Sequence, residues 1–492
     1  MRQAGILMAV SSLPSKYGIG CFSKEAYRFI EFCKKSGHKC WQMLPLGPTS
    51  YGDSPYQTFS SFAFSPYYID LEELISLKLL TEKECEEADF GTGKCVDYGK
   101  LYQNRFPLLR KAYDRFLTFS YQDYPSFVDQ NTEWLEDYAL FMALKDAHGG
   151  AGWTTWELKL RERDPETIKQ MRLNYKKEID FYRFLQYFCT RQWNHVHQYS
   201  KEMGVQLIGD IPIYIALDSA DAWANPELFE FKEGFIPKAV AGCPPDGFSP
   251  TGQVWGNPLY NWEQHQKEQY HWWKKRMKHM FSLFDIIRID HFRGFDEYYS
   301  IPFEDDTAIN GKWNKGPGLD LFQAFEQSLG KLPIIAEDLG YLNESVKKLL
   351  KDTGYPGMKV LEFAFDSREE SDYLPHNYEH NSVVYTGTHD NDTIIGWYRT
   401  MPQADRDYAL SYVNAKHHSD LEIVWDFIRL AFMSVADYAI IPMQDYLGLG
   451  SEGRMNTPST LGGNWTWRMN QGSLEDELAL KIRNMIHLYG RE

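Results

Sequence analysis

Asp285-Ile286-Ile287-Arg288-Ile289-Asp290-His291-Phe292-Arg293-Gly294-Phe295 is the stretch on which the reading of the fold turns. Taken with a period of two, Arg288 and Asp290 share one face of a short strand while Ile287 and Ile289 share the other. A sheet or barrel core would then carry a cation and a carboxylate side by side at the strand's end, a costly arrangement to bury. On these residues alone, a structural ion pair and an active-site pair both remain open.

Short apolar runs of the same kind recur along the chain, several of them ending in polar residues. They are Gly5–Val10, Cys40–Leu46, Val205–Gly209, Ile286–Ile289, Pro333–Ala336, Met358–Phe363, Ser382–Thr386 and Tyr438–Ile441. Amphipathic runs of helical period lie between them, at Lys24–Ser36, Asn261–Phe284, Leu319–Gly330, Glu344–Thr353, Leu421–Ala436 and Leu474–Tyr489. For the last, Ser473 reads as the N-cap, with Asp476 three residues on. This alternation predicts an α/β chain folded as one (β/α)8 TIM barrel over residues 1–492. A doubly wound open sheet competes, but no GxGxxG follows any strand.

The spacing is uneven. Residues 50–203 are expected to form a mostly helical insertion between strands 2 and 3, with long helices at Leu101–Phe119, Thr132–Ala147 and Asn174–Tyr199. Residues 213–261 are expected to form a loop-rich insertion between strands 3 and 4, ending in the Pro- and Gly-rich Cys243–Pro258. Long loops of this type are usually lids or binding loops. After the eighth strand about 50 residues remain, too few for an appended β-sandwich.

Composition narrows the function classes. The 492-residue chain sets 52 Lys and Arg against 68 Asp and Glu, a formal charge of −16, so a phosphate-tracking surface and a nucleic-acid partner are not expected. Seven cysteines with no CxxC pair fit neither a disulfide framework nor a cysteine zinc site, which points to a reducing, cytoplasmic compartment. The apolar run near the N-terminus is interrupted by Ser11-Ser12-Leu13-Pro14 and reads as a strand; no segment reaches transmembrane length, so no membrane partner is expected. Aromatics are plentiful, with 15 Trp, 32 Tyr and 30 Phe, and those in loops suit the flat faces of sugar rings.

Catalytic groups of such barrels sit at the carboxyl ends of several strands, a rule that selects Asp210, Asp290, Glu337 and Asp390. Four carboxylates on one face repel one another unless some are protonated or paired, which separates acid from base at neutral pH. Arg288 would hold Asp290 ionised, as a nucleophile requires. Glu337 emerges from the apolar Ile334-Ile335-Ala336, where desolvation suits a general acid. His389 beside Asp390 invites a metal reading, but adjacent ligands diverge and no second His-rich stretch completes a site; His417-His418 reads as solvated. Neither a metal nor another cofactor is expected. With no GxSxG for a serine nucleophile, paired carboxylates remain, and their commonest metal-free use is glycosidic bond cleavage.

Together the motifs resemble one family, the amylomaltases or 4-α-glucanotransferases of glycoside hydrolase family 77. The resemblance is carried by Ser11–Ser15, Trp41–Pro48, Gly52–Gln57, Gly209–Ile213, Gly252–Pro258, Arg288–Gly294, Ala336–Gly340, Gly387–Thr393, Arg454–Pro458 and Asn464-Trp465. It implies a retaining double displacement in which Asp290 is the nucleophile, Glu337 the acid/base and Asp390 the transition-state stabiliser, with the first two carboxyls about 5 to 5.5 Å apart. It further implies that Tyr56, Asp210, Gln253, Trp255, Arg288, His291, His389 and Asn464 bind substrate. Malto-oligosaccharides and α-1,4-glucans would be the substrates, and glucose an acceptor. An α-amylase-like hydrolase and a non-catalytic glucan-binding protein are the competing readings.

Overall fold

The computed structural model of the chain describes residues 2–50, 52–245, 249–340, 342–415 and 418–492. Asp246, Gly247 and Phe248 of the loop noted above, and His417, lie outside the described residues. The strands are β1 (Gln3–Leu7), β2 (Cys40–Gln42), β3 (Gln206–Pro212), β4 (Ala239–Cys243), β5 (Gln253–Pro258) and β6 (Ile286–Asp290). They continue as β7 (Glu297–Pro302), β8 (Lys312–Lys315), β9 (Ile334–Ala336), β10 (Gly357–Val360), β11 (Ser382–Tyr385) and β12 (Tyr438–Pro442). β1, β2, β3, β6, β9, β10, β11 and β12 close into a parallel barrel in chain order, one from each of the eight apolar runs.

Period-two alternation divides each barrel strand between two environments. Leu7, Cys40, Ile208, Ile286, Ile335, Met358, Val383 and Ile440, one from each barrel strand, pack together along the barrel axis. Their neighbours Leu207, Ile287, Ile289 and Ile334 join the larger core under the surrounding helices. Arg288 and Asp290 share the parity of Ile286, so both enter the barrel. Asp210 and Arg288 are register partners on adjacent strands, which sets a carboxylate beside a guanidinium before any loop is considered.

Helix Lys24–Ser36 begins at Ser23, whose hydroxyl accepts from the Glu25 amide, and ends at the left-handed Gly37. Helix Asp476–Leu488 packs against it, and the buried Arg491 donates to the carbonyls of Phe432 and Ala436 at 2.7 and 2.9 Å. Glu475, not Ser473, occupies the N-cap position of that last helix, without a side-chain capping hydrogen bond among the described residues, because the chain turns helical only at Asp476. Among the described residues no strand follows β12.

Between β2 and β3 the long helices run Tyr98–Phe116, Tyr124–Ala147 and Lys176–Met203. Asp97 advances the first of them by capping the Lys100 amide. The expected helix Asn261–Phe284 is broken into Trp262–Lys267 and His271–Leu283, because Gln269 and Tyr270 take left-handed φ values of 54° and 56°.

Residues 213–261 differ from the expected loop: β4 and β5 lie there and join β7 and β8 in an antiparallel sheet ordered β5-β4-β7-β8. β4, Ala239-Val240-Ala241-Gly242-Cys243, has few β-branched or aromatic residues, so its own sequence reads weakly as strand. Long-range pairing with Tyr299–Pro302 holds it. Gly242 is required there because a Cβ would lie 2.0 Å from the Gln253 carbonyl oxygen.

Gly209 of β3 marks a second close approach, where a Cβ would lie 2.4 Å from a ring carbon of Phe284. Gly209→Ala should cost about 1–3 kcal/mol through forced displacement of that ring, read as a lower urea midpoint. An unchanged midpoint would refute the packing constraint.

Candidate active site

The site is built outward from Arg288. Its side chain is 4% exposed; Nη1 lies 2.8 and 2.7 Å from the two carboxylate oxygens of Asp210, and Nη2 lies 3.0 Å from Asp290 Oδ1. Tyr56, arriving from the loop after β2, donates its hydroxyl to Asp210 Oδ2 at 2.7 Å. Asp210 is thus enclosed between a guanidinium and a phenol. Its side chain is 0% exposed, so it presents no oxygen to the cleft. The Asp290 side chain keeps 29% of its surface open.

Glu337 follows β9 directly. One of its oxygens accepts from the His291 amide at 2.6 Å and the other from the Leu339 amide at 2.9 Å. His291 offers its amide because it sits in the left-handed region at φ 52°, turning the chain immediately after Asp290. The end of β6 therefore orients the carboxylates of both strands.

Burial pushes the Glu337 carboxyl up to about 7, and the charge of Asp290 adds to the shift. Burial also raises Asp290, to about 6, with Arg288 pulling against it. The direct ion pair belongs to Asp290, so the pair's proton resides on Glu337. His291 is held neutral, its pKa lowered to about 3 first by burial and then by Arg293. Its Nε2 is buried without a hydrogen-bond partner among the described residues.

Asp390 lies on the turn after β11. Its Oδ1 accepts from the Asn456 side-chain amide at 2.6 Å, and its Oδ2 is 3.4 Å from His389 Nε2. His389 stacks on Tyr56, with ring centroids 5.1 Å apart at 17°, and Trp465 leans against both rings at 5.9 Å. Tyr56 thereby joins the Asp210 and Asp390 sides of the mouth.

The loop residues separate into two groups. Trp255 sets its ring edge-on to His291 at 4.9 Å and donates its indole N–H to Gln253 Oε1 at 3.1 Å. Gln57 and Asn257 hold that strand to the loop carrying Tyr56, through Nε2 to Oδ1 at 3.0 Å. Asn464 is placed differently: its Oδ1 accepts from the Thr457 amide, and its Nδ2 donates to Thr460, closing the loop 457–464. Asn456, inside Arg454-Met455-Asn456-Thr457-Pro458, is the residue that reaches Asp390. It follows no strand, so the strand-end rule passed over it; only its place in a matching motif marked it.

A neutral acid beside a charged, cation-paired carboxylate, under an aromatic rim, is equipped to protonate a leaving oxygen and attack a sugar carbon from the opposite face. The family model described as 4-alpha-glucanotransferase, glycoside hydrolase family 77, matches residues 8–474. The 4-alpha-glucanotransferase of Clostridium butyricum is 46% identical, covering 98% of this chain and 100% of its own length. That of Thermus thermophilus is 44% identical, covering 98% of each chain. An amylomaltase from Streptococcus agalactiae, solved in complex with acarbose, superposes with a TM-score of 0.97 at 38% identity over the full length of both chains. By sequence and by fold, this chain belongs to glycoside hydrolase family 77.

Proposed function

We propose that the chain is a 4-α-glucanotransferase that moves a segment of a 1,4-α-glucan to the 4-hydroxyl of an acceptor glucan or glucose by a retaining double displacement. The observation that carries the reading is the asymmetry of the two central carboxyls. Asp290 has its own guanidinium at 3.0 Å, whereas Glu337 is held by two backbone amides and pushed up to about 7. Asp290 is the nucleophile and Glu337 the acid, which becomes the base when the acceptor hydroxyl attacks. In the first step the Glu337 proton goes to the glycosidic oxygen as the C1–O bond breaks and the Asp290–C1 bond forms. In the second the acceptor hydroxyl returns that proton and displaces Asp290.

Asp390 stabilises the transition state by holding ring hydroxyls of a distorted sugar. His291, whose Nε2 has no hydrogen-bond partner among the described residues, and His389 bind sugar hydroxyls beside it, while Trp255 and Tyr56 form the aromatic wall. Asp210 acts through Arg288 and Tyr56, since its own oxygens are covered. Transfer outcompetes hydrolysis where the covering loops hold an acceptor at high effective concentration. Among the described residues no helix is long and apolar enough to cross a membrane, and seven cysteines with no CxxC pair fit a reducing cytoplasm.

Supplied with maltotriose alone, the protein should yield glucose and longer oligosaccharides with little gain in total reducing ends. A steady rise in reducing ends would identify a hydrolase instead.

Glu337→Gln should lose most of its kcat/KM on maltotriose while retaining activity toward an α-maltosyl fluoride, whose leaving group needs no proton. Equal losses on both donors would remove Glu337 from the acid role.

On maltotriose, kcat/KM should fall as pH rises through about 7, where Glu337 loses its proton, and as pH falls below about 6, where Asp290 gains one. On the fluoride the upper limb should vanish; its persistence would contradict the assignment.

A further inference from the structure

Asp390 is the one of the three proposed catalytic carboxylates that receives no backbone amide or arginine at its oxygens among the described contacts. Among the described residues its carboxylate meets Asn456 and the more distant His389. Its side chain is 47% exposed, and it sits on a turn rather than in a strand. Something must hold that turn. The contacts converge on Arg454, in the segment after β12.

The Arg454 guanidinium makes three contacts. Nη2 donates to the Asp390 carbonyl at 2.9 Å, and Nε donates to the Asn456 carbonyl at 2.8 Å. Nη1 faces Asp392 Oδ2 at 3.9 Å. Asn456 in turn receives and gives: its amide donates to the His389 carbonyl at 3.1 Å, and its side chain reaches Asp390 Oδ1. One planar cation therefore spans the two short segments whose mutual placement aims the Asp390 carboxylate.

Acidic side chains lie close to the turn. Asp392 is held by the Ser451 hydroxyl at 2.7 Å and Asp445 by the Thr386 hydroxyl at 2.6 Å and the Ile394 amide at 2.9 Å. Glu362 closes on Gly387, where a Cβ would lie 2.6 Å from its Oε1, and on Gly396 a Cβ would lie 2.5 Å from Asp392. Burial first, then Asp445 and Asp392, raise the Glu362 carboxyl well above its usual range, while Arg454 opposes that shift. Burial likewise pushes Asp445 up to about 6. Of these acidic side chains, Asp392 faces the guanidinium directly and Glu362 feels its charge.

We propose that Arg454 is a positioning residue for the glucanotransferase reaction, clamping the Asp390 turn to the Asn456 segment so that the Asp390 carboxylate is aimed at the distorted sugar. The inference rests on the transition-state role given to Asp390 above. Lysine is a poor replacement, because its one ammonium nitrogen cannot occupy both the Nε and Nη2 positions that donate to the Asn456 and Asp390 carbonyls. Misplacement of a catalytic group by about 1 Å can cost on the order of 100-fold in rate.

The test compares Arg454→Ala, Arg454→Lys and Asp390→Asn on maltotriose, with far-ultraviolet circular dichroism and thermal melts to verify folding. Arg454→Ala is expected to lower kcat by roughly 10- to 100-fold with KM within about threefold, and millimolar guanidinium, but not sodium at equal ionic strength, should recover part of the loss. Arg454→Lys should fold and show a reduced kcat, which keeps the test decisive if the alanine variant does not fold. In an Asp390→Asn background, Arg454→Lys should cost no more than about twofold further. An unchanged kcat in both Arg454 variants, or the full loss repeated in the Asp390→Asn background, would overturn the proposal. If Asp390→Asn alone keeps wild-type kcat, the role of Asp390 fails and the proposal with it; if it collapses while the Arg454 variants do not, only the clamp fails.

Discussion

A buried guanidinium shared by two carboxylates is the constraint on which the rest of the site depends. Arg288 enters the barrel from β6, next to Asp210 on β3 and two residues before Asp290. Desolvating a guanidinium is expensive, and its favourable contacts must be complete to offset that cost. Asp210 supplies both of its oxygens and keeps none for solvent. Asp290 supplies one and leaves the remainder of its carboxylate at the mouth of the barrel. The same contact that makes a charged core tolerable also fixes the Asp290 carboxylate in place at the barrel mouth.

From that pair the site extends by single hydrogen bonds and ring contacts. Tyr56 joins Asp210 to the β11 side by donating its hydroxyl to the one and stacking on His389 at the other. Glu337 is oriented by the amides of His291 and Leu339, so the backbone leaving β6 positions Glu337 as well as Asp290. Burying Glu337 without a cation of its own, beside a carboxylate that has one, gives two chemically similar groups unequal hold on a proton. The rim is then completed by Trp255, edge-on to His291.

Much of this was legible before folding because it depends on local pattern. Eight apolar runs became eight barrel strands, since alternation along a strand and turn residues at its end are properties of adjacent positions. Asp210, Asp290, Glu337 and Asp390 could be selected because a parallel barrel brings strand ends to one face whatever its loops do. β4 and β5 were missed because Ala239–Cys243 has little strand preference of its own and is held by residues about 60 positions later. The division of labour between Asn464 and Asn456 was also illegible: both lie in loop segments, and only the path of the loop 457–464 sends one to Asp390 and the other back onto Thr457.

The amino-acid sequence by itself determined the strand and helix alternation, the barrel and the identity of the carboxylates at its mouth, because each is encoded in the spacing of near neighbours. Only the tertiary structure added Asp210 and Tyr56 to the Arg288–Asp290 pair that the spacing suggested, and brought Arg454 to the Asp390 backbone carbonyl. Asp210, Tyr56, Arg288 and Asp290 meet across two strands and a loop, and Arg454 meets Asp390 across 64 residues of chain. Distances of 3 Å between residues so far apart in sequence are set by barrel closure and loop packing, and charge, protonation and orientation follow from those distances.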